Sequence, residues 1–274
     1  DRIGIVFSKN ISKPLKVTLI EDEIIEIINR SNILSNIFNT KINNDRWLTY
    51  IEMSCWMVSS KYLKSRKSFI GSVILNNMTF FWDDIKDDLV LNKKSIILNE
   101  IHEICKEYYE IEYVEKVFEA SEQWINHDTF FRTHKSKKLI CNNLHTYWQY
   151  RLIDSGTHYW LKITSPIYKN EEYSKLIDIM ILSQLVLKPF MVVNDICSYY
   201  KEKYFNEYSN FLNITNNINK QIEDIEHDIE CIKSFDNDIS NILLDKIYGH
   251  YIWAINTNRY KNIITDINCR LDIL

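Results

Sequence analysis

Two short polar clusters in this chain each follow an apolar run and carry side chains suited to binding a divalent cation. The first cluster, residues 83–88, contains four aspartates and comes directly after Phe80-Phe81-Trp82. The second, residues 194–202, contains amide, hydroxyl and carboxylate side chains. Oxygen donors of these kinds are the ligands that Mg2+ takes in proteins. We therefore predict that the two clusters form two walls of one metal site.

The second cluster has the spacing of a single helical face. Asn194, Ser198 and Glu202 lie at positions i, i+4 and i+8, so each step drifts by only about 40° around a helix. Lys201, seven positions after Asn194, falls on the same stripe. Three oxygen donors beside one ammonium suit an Mg2+ ion that is also bridged to an anion such as phosphate.

The first cluster crowds negative charge at the end of a predicted helix. Asp83 and Asp87 are four positions apart, as are Asp84 and Asp88, and like charges at this spacing repel by about 0.2–0.5 kcal/mol per pair. Water or a bound cation explains such a patch, and an acidic run taken alone is more often a solvated helix end. The aromatic run before it favours the mouth of an apolar pocket.

The composition predicts an all-α fold. Only 4 of the 274 residues are glycine and 3 are proline, so the chain lacks the turn residues that parallel α/β folds and β-sandwiches need. No linker or internal repeat divides it, and we predict one domain over residues 1–274. The chain also has 17 Tyr, 12 Phe and 7 Trp, most of which we expect in the core.

Charge and cysteine usage exclude several classes of function. A net charge of −4 with scattered lysines provides no basic surface for nucleic acid. The six cysteines have no C-x-x-C pair and no metal-ligand spacing with histidine, so we interpret them as reduced thiols. The longest apolar stretch, residues 176–193, is interrupted by Asp178, Lys188 and Pro189 and fails as a membrane span. We predict a soluble cytoplasmic protein.

Hydrophobic periodicity predicts a series of helices between an extended start and a short tail. The extended segment covers about residues 1–18 and the tail about residues 261–274. Gly156 is predicted to stop a helix. The predicted helices are 20–32, 45–64, 69–88, 95–109, 114–124, 137–154, 171–188, 189–205, 217–232 and 238–257.

Together the two clusters resemble the metal-binding motifs of microbial-type class I terpene synthases. In that family a D-D-x-x-D motif faces an N-D-x-x-S-x-x-x-E motif, and three Mg2+ ions, for which Mn2+ can substitute, hold an isoprenyl diphosphate between them. Asp195 is then the usual second-position acid, Lys201 a diphosphate contact and Asp88 an extra acid of uncertain role. The resemblance implies the following metal ligands, with Asp83 foremost among the aspartates: Asp83, Asp84, Asp87, Asn194, Ser198 and Glu202.

Further matches to the family lie outside the two clusters. Arg151 resembles the family's diphosphate-sensing arginine, which implies that Asp154 links it to a helix break and that the Ser155 carbonyl faces the substrate. Near the end of the chain, a W-x-x-x-x-x-R-Y match implies that Arg259 and Tyr260 donate to the diphosphate while Trp253 faces the cavity. Six helical steps turn about 240°, so we predict a helix end near residue 256 or 258.

The resemblance implies an all-α bundle of the class I terpenoid synthase type with a central apolar cavity. The expected function is Mg2+-dependent ionisation of an isoprenyl diphosphate, by default the C15 farnesyl diphosphate, and cyclisation to a sesquiterpene hydrocarbon or alcohol. Trp56, Phe80 and Trp253 would stabilise the carbocation through their ring faces. A monomer or a homodimer is expected. The alternatives are a linear, C10 or C20 terpene synthase, an isoprenyl chain-elongating transferase and a catalytically silent helical binding protein.

We predict that Asn194→Ala and Glu202→Ala each abolish turnover, because each removes one oxygen donor from the proposed metal stripe. Turnover is measured as terpene product formed, and circular dichroism checks that the helical content is unchanged. A near-normal product yield from either variant would show that the stripe does not bind metal.

Overall fold

A computed structural model describes the chain over residues 2–40, 42–84, 87–134, 143–204, 210–215 and 217–257. All regular secondary structure in these ranges is helical, which confirms the predicted all-α fold. Two short 3-10 helices cover Ser60–Tyr62 and Phe211–Asn213. The α-helices, numbered in chain order, are α1 (Arg2–Asn10), α2 (Glu21–Ile37), α3 (Asn44–Met57), α4 (Arg66–Asp84), α5 (Asp87–Tyr108), α6 (Ile111–His134), α7 (Leu144–Asp154), α8 (Thr157–Tyr168), α9 (Glu171–Asp178), α10 (Ile181–Tyr204), α11 (Ile218–Lys233) and α12 (Asn237–Asn256).

The first residues form a helix and not the extended segment that we predicted. In α1, Ile3 and Phe7 are fully buried one turn apart, and the Phe7 ring packs edge-on against Tyr251 of α12 with 5.3 Å between ring centroids. A helix this short is only marginally stable in isolation, and packing against the bundle therefore supplies its stability. The extended prediction was correct only for residues 11–18, which belong to a segment, residues 11–20, without regular secondary structure.

Helix α8 was absent from the sequence prediction, although Gly156 was correctly expected to stop α7. Most side chains of α8 are buried, including those of Trp160 and Thr164. A helix buried on nearly all sides lacks the polar face that makes helical periodicity visible in a sequence. Periodicity therefore could not distinguish this segment from an apolar loop or strand.

The predicted boundary between the helices 171–188 and 189–205 was also wrong. The break lies between α9 and α10, where Met180 has a φ of 64°, and Pro189 lies within α10. Proline removes one backbone donor and usually kinks or ends a helix, which is why the sequence suggested a boundary there. Helix α5 likewise begins at Asp87, earlier than the predicted residue 95.

Asparagine side chains start several helices in this glycine-poor and proline-poor chain. An asparagine at the N-cap accepts a hydrogen bond from a backbone N–H of the first turn, which otherwise has no partner within the helix. The N–H groups of Asp45, Thr146, Tyr173 and Lys220 donate in this way over 2.9–3.1 Å to Asn43, Asn143, Asn170 and Asn217, respectively. Four asparagines therefore help to define where helices begin.

Buried polar contacts fix α4, which ends in the first acidic cluster. Asn76 donates to Ser54 of α3 over 3.0 Å, and Asn77 donates to Ser31 of α2 over 2.9 Å. All four residues are buried, so the amides hold α4 in one register against its neighbours. On the other side of α3, Gly249 of α12 allows close packing, because a Cβ there would lie 2.0 Å from a backbone oxygen of α3.

Helix α10 passes through the bundle core. Its segment Ile181–Tyr199 is, by length and mean hydropathy of 1.3, long and apolar enough to cross a membrane, contrary to our reading of this stretch. However, 67% of the segment is buried within the protein. Such burial, measured against the described residues, is typical of a core helix, because core helices are apolar on several sides.

Lys246 of α12 is fully buried. Among the described residues, no carboxylate lies within ion-pair distance of its amine. Its ammonium donates to Thr164 Oγ1 over 3.0 Å and lies 5.1 Å from the Tyr168 ring centroid. Burial lowers the pKa of Lys246 from 10.5 to about 7, because the charged form loses its hydration. The unfolded chain therefore binds more protons than the folded chain between about pH 7 and 10.

We predict that Lys246→Met stabilises the protein at pH 6, where the wild type must bury a charge. The advantage should shrink by about 2–3 kcal/mol between pH 6 and pH 9, because the wild-type amine becomes neutral in this window. Urea denaturation at four pH values measures the free energy of unfolding. Lys106→Met is the control for loss of an exposed lysine, and parallel wild-type and Lys246→Met curves would contradict the prediction.

Candidate active site

Helix α10 presents the predicted metal stripe at its C-terminal half. The Ser198 hydroxyl donates to Glu202 Oε1 over 2.5 Å, so two of the three predicted ligands are already in contact. Asn194 lies one turn before Ser198 on the same face and hydrogen-bonds the carboxylate of Asp195. Burial raises the pKa of Glu202 to about 7, and the Asp195 carboxylate adds to the rise. A cation at this position would favour the ionised form of Glu202.

Asn210 completes the surroundings of Glu202 and was not identified from the sequence. It is fully buried and donates to Glu202 Oε2 over 2.8 Å and to the backbone oxygen of Asp195 over 2.7 Å. Its own oxygen accepts from the Leu212 N–H at the start of a 3-10 helix. Because Asn210 lies beyond the end of α10, helical spacing could not place it beside the stripe.

Arg151 lies at the helix break that the sequence predicted. Its Nη1 donates to Asp154 Oδ2 over 3.0 Å, and the two side chains are 10% and 8% exposed. The break follows at Gly156, whose φ of 70° is left-handed and places it at the N-cap of α8. Trp124 closes the break from α6, because its indole N–H contacts the Asp154 backbone oxygen at 3.4 Å. Arg151, Asp154 and Ser155 thus lie together, as expected.

The same guanidinium connects the break to the second motif. Arg151 Nη2 donates to Asp195 Oδ1 over 3.1 Å, and the Asp195 side chain is fully buried. The Tyr147 hydroxyl and the Phe211 N–H donate to the other carboxylate oxygen, the latter over 3.0 Å. Burial raises the pKa of Asp195, while Arg151, Tyr147 and Phe211 oppose the rise by stabilising the charged form.

Tyr147 is a second residue that sequence reasoning missed. It lies four positions before Arg151 and therefore on the same face of α7, which is the signal that could have found it. Its ring also lies 5.9 Å from the Arg151 guanidinium. Tyr147 thus contacts both partners of the buried ion pair.

The first acidic cluster is described in part. Asp83 is exposed at the C-terminal end of α4, and α5 begins at Asp87. The side chains of Asp84, Asp87 and Asp88 lie outside the described residues. Phe80, one turn before Asp84, stacks on Tyr50 of α3 with 4.3 Å between ring centroids. The structure thus places an aromatic pair below the acidic end of α4.

The two predicted tryptophans lie in different places. Trp253 is buried near the end of α12, where its indole N–H donates to the Thr49 backbone oxygen over 3.0 Å. Helix α12 ends at Asn256, which confirms the predicted helix end. Trp56 lies near the C-terminal end of α3, with the Lys16 amine 5.5 Å from its ring centroid. Its backbone oxygen adjoins Gly249 of α12, one helical turn before Trp253.

The remaining predicted site residues lie outside the described part of the structure. This applies to the side chain of Lys201 and to Arg259 and Tyr260, as well as to the tail 261–274. Among the described residues, no group of three or more His, Cys, Asp and Glu side chains could hold a metal. The proposed site differs from such a group, because two of its predicted ligands are an asparagine and a serine, Asn194 and Ser198.

A small, mostly apolar cavity of about 10 Å³, close to the space that one water molecule needs, lies between α4, α5, α6 and α8. Trp124, which also contacts the helix break, forms part of its wall together with Tyr159. These two rings stack with 5.8 Å between their centroids. The helix break thus borders an aromatic space within the bundle.

We predict that Asp195→Ala lowers the free energy of unfolding by about 3–5 kcal/mol, because it leaves buried Arg151 with one carboxylate partner. Asp195→Asn should cost less, since its amide oxygen can still accept from Tyr147 and Phe211. Urea denaturation without metal or substrate measures both variants. Glu103→Ala, which breaks an exposed ion pair with Lys106, is the control and should remain near wild type. Equal stability of Asp195→Ala and wild type would contradict the prediction.

No family model matches the chain. It is 28% identical to a cyclooctat-9-en-7-ol synthase of Streptomyces melanosporofaciens over 271 residues, which covers 95% of this chain and 88% of that protein. The similarity thus spans the fold as a whole, including both motif-bearing helices and the helix break. Together with the all-helical fold, this similarity confirms the resemblance to terpene synthases seen in the motifs, and it supports an enzyme of the lyase class, of the class I terpene cyclase type.

Proposed function

We propose that this cyclase binds an isoprenyl diphosphate through Mg2+ ions and the buried Arg151, and ionises it to start cyclisation. One observation carries the proposal: Arg151 contacts both Asp154 at the helix break and Asp195 within the metal motif. A single guanidinium therefore joins the predicted anion-binding and metal-binding parts of the site. Guanidinium groups suit this role because their N–H donors match phosphate oxygens in a planar fork.

The donor set on α10 fits Mg2+. Asn194, Ser198 and Glu202 offer one amide, one hydroxyl and one carboxylate oxygen on one helical face, and Ser198 already contacts Glu202. We propose that Asp83, Asp84 and Asp87 provide the opposite wall. Three Mg2+ ions, or Mn2+ in their place, would neutralise the diphosphate and stabilise the negative charge that it gains on leaving.

The residues around the metal positions would hold the diphosphate and the helix break. Arg151 would donate to the leaving oxygens, with Lys201, Arg259 and Tyr260 as further donors. Asp154 holds Arg151 in place from the last residue of α7, so a shift of the guanidinium would be transmitted to Ser155 and its carbonyl. Donors aimed at the developing charge lower the barrier, because they need little reorganisation during the reaction.

The aromatic walls suit the carbocation that ionisation leaves. Phe80 and the buried Trp253 present ring faces that can stabilise a cation by about 0.5–2 kcal/mol each. Exclusion of water protects the cation until the ring system has formed. The similar Streptomyces protein is named for an alcohol product. By analogy, water addition is a candidate last step here, beside loss of a proton.

The chain length of the substrate follows from the family resemblance. We propose farnesyl diphosphate, the C15 substrate, as the default, and the C10 and C20 diphosphates are the alternatives.

We predict that the protein with Mg2+ converts the C15 diphosphate to a cyclic sesquiterpene hydrocarbon or alcohol and releases diphosphate. The C10, C15 and C20 substrates are incubated separately and in competition. Gas chromatography with mass spectrometry identifies the products, and a phosphate assay measures the diphosphate released. A chelator should abolish both signals, because the oxygen stripe lacks its cation without added metal.

Each result of this experiment has a defined meaning. Terpenes from the C20 substrate alone would keep the cyclase proposal and replace the C15 substrate. No terpene from any substrate would overturn the proposed function.

Arg151→Gln is the matched variant for anion binding, and we expect at least about a hundredfold loss of kcat/KM, in line with removal of a donor to developing charge.

A further inference from the structure

His250 is buried beneath the proposed metal site. It lies on α12, three positions before Trp253 and four after Lys246, so the three side chains share one helical face. It is 6% exposed, and its ring packs edge-on against Phe190 of α10 with 5.2 Å between ring centroids. Its ring centroid is 6.0 Å from that of Trp253.

Phe190 relates this position to the metal stripe. It lies four positions before Asn194, and therefore one helical turn away on the same face of α10. His250 thus contacts the aromatic residue directly below the first ligand of the stripe. Its other aromatic neighbour is Trp253, which the family resemblance assigns to the substrate cavity.

One nitrogen of this imidazole is buried without a partner. His250 Nδ1 has no hydrogen-bond partner among the described residues. Buried polar atoms are nearly always paired, and each exception calls for an explanation, which includes a catalytic role. Burial lowers the pKa of His250 to about 4, so the imidazole is neutral near pH 7. A neutral imidazole with its hydrogen on Nε2 leaves Nδ1 as an acceptor.

Two other basic side chains, the partly buried His158 and the fully buried Lys246, differ from His250 in this respect. His158 Nδ1 lies 2.7 Å from the Ser183 hydroxyl. The Lys246 amine donates to Thr164, one turn below His250 on α12. Both therefore have a structural partner that accounts for their position.

We propose that His250 is the base that ends cyclisation by accepting a proton at Nδ1. This inference rests on the proposed cyclase function. Where the proton comes from carbon, the C–H bond next to the cationic centre breaks and its electron pair becomes the new C=C bond. Where it comes from a water that has added to the cation, the O–H electron pair stays on oxygen and an alcohol forms.

The surroundings of His250 suit such a base. A carbocation is a far stronger acid than an imidazolium, so even a base weakened by burial accepts its proton. A neutral ring also avoids the repulsion that a protonated histidine would exert on the cation. The imidazolium formed in this step returns its proton to solvent when the site opens and the product leaves.

His250→Asn tests the proposal, because an amide can still form hydrogen bonds but does not take up a proton at neutral pH. We expect the principal wild-type product to fall at least about tenfold per diphosphate released, the scale of loss for a general base. Other terpenes should rise in its place, because the cation is then quenched elsewhere. His158→Asn is the matched control and should keep the wild-type product ratio.

Labelled water separates the two sources of the proton. In H2 18O, incorporation of 18O into the wild-type product identifies water addition, and its absence identifies loss of a proton from carbon. His250→Asn should reduce whichever product the wild type forms.

The remaining outcomes are decisive. An unchanged product ratio in folded His250→Asn would overturn the proposal. Complete loss of diphosphate release would also overturn it, because His250 would then act in the ionisation step and not in the final proton transfer. Circular dichroism and Tm establish folding, and His250→Gln replaces His250→Asn if the latter unfolds. If the wild type itself releases no diphosphate from any isoprenyl substrate, the proposed function fails, and not this assignment alone.

Discussion

The buried ion pair between Arg151 and Asp195 is the interaction on which the rest of the site depends. Both side chains are almost fully removed from water, so each charge needs a partner to remain in the bundle. Asp154 contacts Arg151, and Tyr147 contacts both members of the pair. Movement of any one of these groups therefore affects the helix break and the metal stripe together.

Several contacts transmit this constraint through the bundle. Asn210 ties the segment after α10 to Asp195 and Glu202, so the stripe is held at both ends. Trp124 contacts the break from α6 and forms part of the neighbouring cavity wall. The ion pair is thus connected, through Asp154 and Trp124, to the small cavity between α4, α5, α6 and α8.

Helix α12 carries two buried basic groups that have no carboxylate ion-pair partner among the residues that the structure describes. Burial lowers the pKa of both Lys246 and His250 towards or below neutrality. Neutral nitrogen atoms are compatible with the otherwise apolar and aromatic interior that surrounds this face. The close approach of α12 to α3 at Gly249 leaves little room for water to restore their hydration.

The sequence alone determined the features that depend on local spacing. The scarcity of glycine and proline specified helices, Gly156 specified the break after α7, and the four-residue steps from Asn194 to Glu202 specified one face of α10. Tertiary structure decided what this face contacts. Arg151 meets Asp195 and Asn210 meets Glu202, because periodicity reports which residues share a face, whereas helix packing decides which faces meet.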